Sequence, residues 1–208
     1  RRLQESKQTV PHFYLQTSFN AKGIIACRKE AASRKIAWDG FFVHAVAKAI
    51  KRFDRMAMRL DGDRLVPAPS DSIGVAVDAG GDLFVIPVSD PAGRTPEAIS
   101  DDIRAHVERL RTGDPGARRL PQVAMTITNL GSCDVESFVP IINPPEIAIL
   151  GVGKVMSTCV ARDTRIAIEP RATLTLAVDH RVVNGKFAGD FLGAIVTELE
   201  RFGMTKPE

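Results

Sequence analysis

Apolar positions along the chain recur alternately at the three-and-four spacing of a helix and the every-second spacing of a strand, which predicts the two elements in alternation. Arg1-Arg2-Leu3-Gln4-Glu5-Ser6-Lys7 has no apolar signal core and reads as the tail of a helix whose beginning is missing. His12 to Phe19 mixes aromatic and branched residues as a strand does, and Asn20 can cap a helix running to about Lys35. After Trp38-Asp39, residues Phe41, Phe42, Ala45, Val46, Ala49 and Ile50 mark a buried helical face. Asp61-Gly62-Asp63 supplies a turn between two short strands; Ile73 to Val77 and Leu83 to Val88 form two more around Ala79-Gly80-Gly81, with Pro87 marking an edge or a strand end. Thr95 or Pro96 opens a helix carrying Ile99, Ile103, Val107 and Leu110, ended by Gly113-Asp114-Pro115-Gly116.

The second half alternates again. Val123, Met125 and Ile127 face one way, so Thr126 and Thr128 face the other, before the turn at Asn129-Leu130-Gly131. Glu146 to Val152 is nearly continuous in apolar residues, as expected of a strand covered on both sides, and Arg165 to Val178 continues the pattern. Phe187, Phe191, Ile195 and Leu199 mark the inner stripe of a last helix. With no repeat, low-complexity tract or linker, residues 1–208 read as one α+β domain with a mixed β-sheet flanked by helices.

Composition changes this picture only by exclusion. At 208 residues, 44% hydrophobic and 25% charged, the chain has enough apolar content for its own core. Three cysteines without a C-x-x-C pair suggest neither a disulfide framework nor a zinc site, and point to a reducing, intracellular compartment. The 28 basic and 25 acidic residues are interspersed, which argues against nucleic acid and fits a small phosphorylated ligand better. No apolar run reaches the roughly 18 residues that a membrane span needs.

Conventional motifs fail. Gly151-Val152-Gly153 lacks the third glycine of a dinucleotide fingerprint, and there is no Walker sequence, G-x-S-x-G elbow or paired-histidine metal motif. His180 stands out at the junction of a strongly patterned strand and a helix. From residue type alone, Asp179 and Arg181 could be structural ion pairs, His180 a gap filler and Asn184 a helix cap. The whole segment Asp179-His180-Arg181-Val182-Val183-Asn184-Gly185, however, resembles the D-H-R-x-x-[DN]-G signature of the acyltransferase (E2) components of 2-oxoacid dehydrogenase complexes, which share the fold of chloramphenicol acetyltransferase. The resemblance extends to Glu5 to Leu15, Ile73 to Asp78, Thr126 to Gly131 and Ser137 to Glu146, in the right order.

The resemblance implies acyl transfer, most like the acetyl type, between a dihydrolipoyl thiol and coenzyme A, both substrates, with the lipoyl group on a separate domain and no metal. His180 would take the thiol proton as sulfur attacks the thioester carbonyl, since an imidazole near pKa 6.5 is mostly free base at neutral pH. The family places on Thr128, with Thr126 in reserve, the hydroxyl that stabilises the oxyanion. Asn184 stands where most members carry Asp; an amide can orient a neighbour but supplies no charge. Phe138 and Leu150 match positions lining the thiol channel, and Asp179 and Arg181 match structural ion-pairing positions, with His180 oriented largely by its own main chain. The family further implies a homotrimer with sites between subunits, a cage that is a 24-mer or 60-mer, and lipoyl domains, E1 and E3 as partners. Departures fall around the expected substrate entrances, at Ala79 to Asp82, Gln122-Val123 and Ser132-Cys133-Asp134. Two alternatives remain open: a protein-X-like structural core subunit that does not catalyse, and a stand-alone small-molecule acetyltransferase.

Overall fold

The computed structural model describes residues 2–119 and 121–203. A six-stranded mixed sheet dominates it, built from β1 (His12–Asn20), β4 (Ile73–Ala79), β5 (Asp82–Val88), β6 (Met125–Asn129), β7 (Ala148–Arg162) and β8 (Arg165–Asp179). Its order is β1-β8-β7-β6-β4-β5; β4, β6 and β7 run parallel to one another and the remaining pairs are antiparallel. The hairpin β2 (Met58–Asp61) and β3 (Arg64–Pro67) stands apart as a second sheet.

One face of the large sheet packs on helices α2 (Lys22–Glu30), α3 (Trp38–Ile50), α4 (Pro96–Arg111) and α5 (Gly185–Glu200). Met125, Ile127, Leu150, Leu174, Leu176 and Val178 point into this core with Phe42, Val46, Ile99 and Phe191. The stripes read from the sequence are the buried ones, because a helix in contact along one side must keep its apolar residues at that spacing. Pro87 sits on edge strand β5, where a missing N–H leaves no ladder bond unmade.

Two elements differ from expectation. The helix after Asn20 stops at Glu30 instead of Lys35; a 3-10 turn follows, and Lys35 takes a left-handed conformation, φ 48°, that turns Ile36 into the core. Asn20 still accepts the Lys22 N–H at 2.9 Å, one residue outside the true cap, Ala21. The strand expected over Glu146 to Val152 instead begins at Ala148 and runs to Arg162, so β7 and β8 form a long two-stranded arm exposing Ile166 and Ile168. That arm is stabilised by backbone pairing more than by burial, and leaves a weak apolar pattern.

The second face carries Tyr14, Gln16, Thr126, Thr128, Ile149, Thr175 and Ala177, set opposite to the core residues by strand alternation. A segment from Val135 to Glu146 and helix α1 (Arg2–Thr9) lie over part of it. A Cβ at Gly153 would stand 1.9 Å from the Glu136 carbonyl oxygen, and one at Gly151 3.1 Å from Phe138. The glycine pair that failed as a dinucleotide motif is therefore where the chain crosses itself. Ile142 is clasped in turn, its N–H donating to His12 Nε2 at 3.1 Å and its carbonyl accepting from Ser6 Oγ at 2.6 Å.

Candidate active site

His180 begins the turn between β8 and α5. Its N–H donates to the Pro11 carbonyl at 3.0 Å, and the N–H groups of Val182 and Val183 both donate to the Asp179 carbonyl at 3.0 Å. The Asp179 side chain, 3% exposed, accepts the Arg181 N–H at 3.0 Å and grips its guanidinium with contacts of 2.6, 2.9 and 3.1 Å. Hydrogen bonding to Asp179 raises the pKa of Arg181. The turn is thus stiffened by a charge-assisted fork. The exposed His180 ring meets Phe13 edge-to-face, centroids 5.0 Å apart. Asn184 Oδ1 accepts the Phe187 N–H at 2.9 Å and so caps α5, with its amide nitrogen as the remaining donor end.

Thr128 lies elsewhere. It is half-buried on β6, on the floor of a groove of about 540 Å³ whose walls include Phe84, Val85, Phe138, Ile141 and Ile149. Arg2, Arg118 and Arg119 line this groove and, among the described residues, no carboxylate does. Phe138 therefore shares a groove with Thr128. Leu150 does not: it is fully buried in the helix-side core, and Ile149 is the β7 residue in the groove. A run that is apolar on both faces hides which parity faces which way.

Counting along the ladders, Thr128 is level with Gly151, and Gly151 with Thr175. His180 is five residues beyond Thr175 and two strands across. At roughly 3.3 Å per residue and 4.8 Å per strand, the two backbones are on the order of 15–20 Å apart. No single carbonyl can touch both residues of one chain.

Sequence reasoning missed two acids near Thr128, the buried Glu146 and the half-buried Asp39. Glu146, expected inside the strand, precedes β7, and its burial pushes the carboxyl up to about 7 against the lowering effect of Thr126 and Asn143. Burial also raises Asp39, partly offset by its bond from Asn129. The only signal available was an acid set among apolar neighbours. Cys133 proves exposed. Among the described residues there is no cluster of three or more metal-ligating side chains and no helix long and apolar enough to cross a membrane.

Comparison with known proteins decides the family. Residues 1–205 match the model of the 2-oxoacid dehydrogenases acyltransferase (catalytic domain). The chain belongs to this family. The acyltransferase domain is 31% identical over 201 residues to the dihydrolipoyllysine-residue acetyltransferase component of the pyruvate dehydrogenase complex of Bacillus subtilis, covering 93% of this chain and 46% of that protein. It thus spans about half the length of the curated relatives it matches. Among solved structures, the acyltransferase domain resembles a probable dihydrolipoamide acetyltransferase from Listeria monocytogenes at a TM-score of 0.93 and 27% identity, covering 100% of this chain and 92% of that one. Two others match at a TM-score of 0.89 and 26% identity over 96% of this chain and 85% of theirs: the cubic core of a pyruvate dehydrogenase multienzyme complex, and the dihydrolipoamide acetyltransferase of Azotobacter vinelandii, studied for the role of a serine, a histidine and an asparagine in its catalytic mechanism. Chloramphenicol acetyltransferase, at 0.56 and 13% identity, shares the fold.

Proposed function

We propose that this domain transfers an acyl group, acetyl foremost, between a dihydrolipoyl thiol and coenzyme A at sites formed between copies of the chain. One observation carries the reading. In the Azotobacter enzyme the serine precedes the histidine by 52 positions and the asparagine follows it by four; Thr128, His180 and Asn184 keep both spacings. The separation of His180 from Thr128 within one chain then requires that a neighbour supply the other half, which fits a trimer and the cage of the related cubic core.

In the reaction, His180 accepts the thiol proton as the sulfur bonds to the thioester carbon. The carbonyl oxygen gains a negative charge, and the Thr128 hydroxyl donates to it, an effect typically worth about 10²–10³ in rate. Collapse re-forms the carbonyl, breaks the bond to the second sulfur, and that thiolate recovers the proton from His180. Asn184 keeps the first turn of α5 capped, and the Asp179–Arg181 pair holds the turn that presents the histidine. Phe138 and Ile149 wall the thiol substrate, while the arginines of the groove suit coenzyme A phosphates. Reduced thiols as substrates suit a reducing compartment, the bacterial cytoplasm or the mitochondrial matrix. The lipoyl group would arrive on a separate domain, and E1 and E3 would be partners of the assembled complex.

His180→Ala is expected to abolish acetyl transfer from acetyl-CoA to dihydrolipoamide with assembly intact. Full activity in that variant would overturn the reading, and a panel of acyl-CoA donors assayed on the parent identifies the acyl group.

A further inference from the structure

Two acids that the chemistry above does not use, Glu146 buried and Asp39 half-buried, abut the same five-residue strand, β6, that carries Thr128. Asp39, in the first turn of α3, accepts a hydrogen bond from the Asn129 side-chain amide at 3.0 Å, and Asn129 Oδ1 accepts the Gly131 N–H at 2.9 Å. The residue next to Thr128, and the turn after it, are thereby tied to the helix layer. On the opposite face Glu146, 8% exposed, stands beside Thr126, 1% exposed, and takes a bond from Asn143 at 2.9 Å.

Among the described residues, Thr126 Oγ1 and Glu146 Oε2 are the buried side-chain oxygens or nitrogens with no well-aligned hydrogen-bond partner. Buried polar atoms are satisfied in about nine cases of ten or more, so their meeting beside one short strand needs a reason. Desolvation is the leading influence on both acids, which sets a cost on keeping them. An amide or an apolar residue of the same size would fill either position without that cost. Both side chains reach a neighbour of Thr128: Asn129 directly after it, and Thr126, which shares its face of the strand.

We propose that Asp39 and Glu146 are positioning residues for Thr128, Asp39 tying its strand to the helix layer through Asn129 and Glu146 abutting the strand at Thr126 on the opposite face. The inference rests on Thr128 being the oxyanion donor. A donor on a strand free to shift meets the carbonyl oxygen at a changed distance and angle, and a displacement near 1 Å costs about 10²-fold in rate. Positioning of this kind acts on turnover, since substrate binding to the groove walls does not depend on it.

The test is a double-mutant cycle on the assembled enzyme with acetyl-CoA and dihydrolipoamide. Asp39→Ala and Glu146→Ala should each lower kcat about tenfold or more and leave both KM values within about twofold, while Asp39→Asn and Glu146→Gln, which keep an acceptor oxygen, stay within about threefold of the parent. In a Thr128→Ala background each alanine substitution should cost less than about twofold, because nothing remains to be positioned. Equal losses in both backgrounds, a rise in KM at unchanged kcat, or full kcat in assembled alanine variants would each overturn the proposal. Full activity of Thr128→Ala alone overturns the oxyanion reading itself, so the two failures are told apart. Should an alanine variant fail to assemble, Asn129→Ser and Thr126→Val cut the same ties from the strand side, with the same expected and overturning outcomes.

Discussion

Asp179 shows how a single buried side chain can hold a reactive neighbour without touching it. Its carboxylate is nearly inaccessible while its partner Arg181 is half exposed, so removing the acid returns the guanidinium to water but leaves the turn without its fork. Asp179→Asn is therefore expected to lower stability by about 1–3 kcal/mol and kcat along with it, as read by thermal melts and steady-state assays. Glu146 predicts the opposite response to pH from most acids. Its folded value, about 7, lies above the unfolded one, so the stability it contributes is full below about pH 4.5 and is lost as pH rises through 7. The charged groups near it are Arg2, Glu5, Arg59, Asp179 and Arg181. Glu146→Gln should remove that loss: urea unfolding at pH 5 and pH 8 is expected to differ by on the order of 2–3 kcal/mol more in the parent than in the variant. The burial of Glu146 was invisible in the sequence, whereas residues 179–185 were legible there. A motif whose members are neighbours in sequence survives reading in one dimension, and burial of a lone carboxyl exists only once strands from distant segments meet.

At the scale of elements, the sequence carried every helix and strand whose one side is buried. It failed where burial is absent, in the solvated outer half of β7, and where it is two-sided, at Leu150 and Ile149. The crossing at Gly153 was equally hidden, because a close backbone approach leaves no mark but a small residue. Gly153→Ala is expected to destabilise by more than about 2 kcal/mol, since the added carbon meets backbone rather than a movable side chain. The displaced segment carries Phe138, so the KM of a thiol substrate should rise too. Asn184→Ala should cost about 1 kcal/mol through the lost cap of α5, while Asn184→Asp keeps the cap and adds charge at the helix start, raising the melting temperature.

For the whole molecule, the distance between Thr128 and His180 predicts complementation between two dead proteins. Thr128→Ala chains retain His180, and His180→Ala chains retain Thr128. Co-assembled in equal amounts, they should recover about a quarter of parent activity, the fraction of interfaces pairing one intact half with the other in a random closed ring. A site contained within one chain would recover none. The sheet's two ends carry a consequence of another kind. β5 is interrupted by Pro87, whereas β1 has nine residues and no proline and, among the described residues, no further strand paired along its outer side. Of these two end strands, β1 is the one that offers an uninterrupted template for added strands during refolding at high concentration. Two chains joined edge to edge there bury each other's template, so misassembly should stop at discrete pairs rather than grow into fibres.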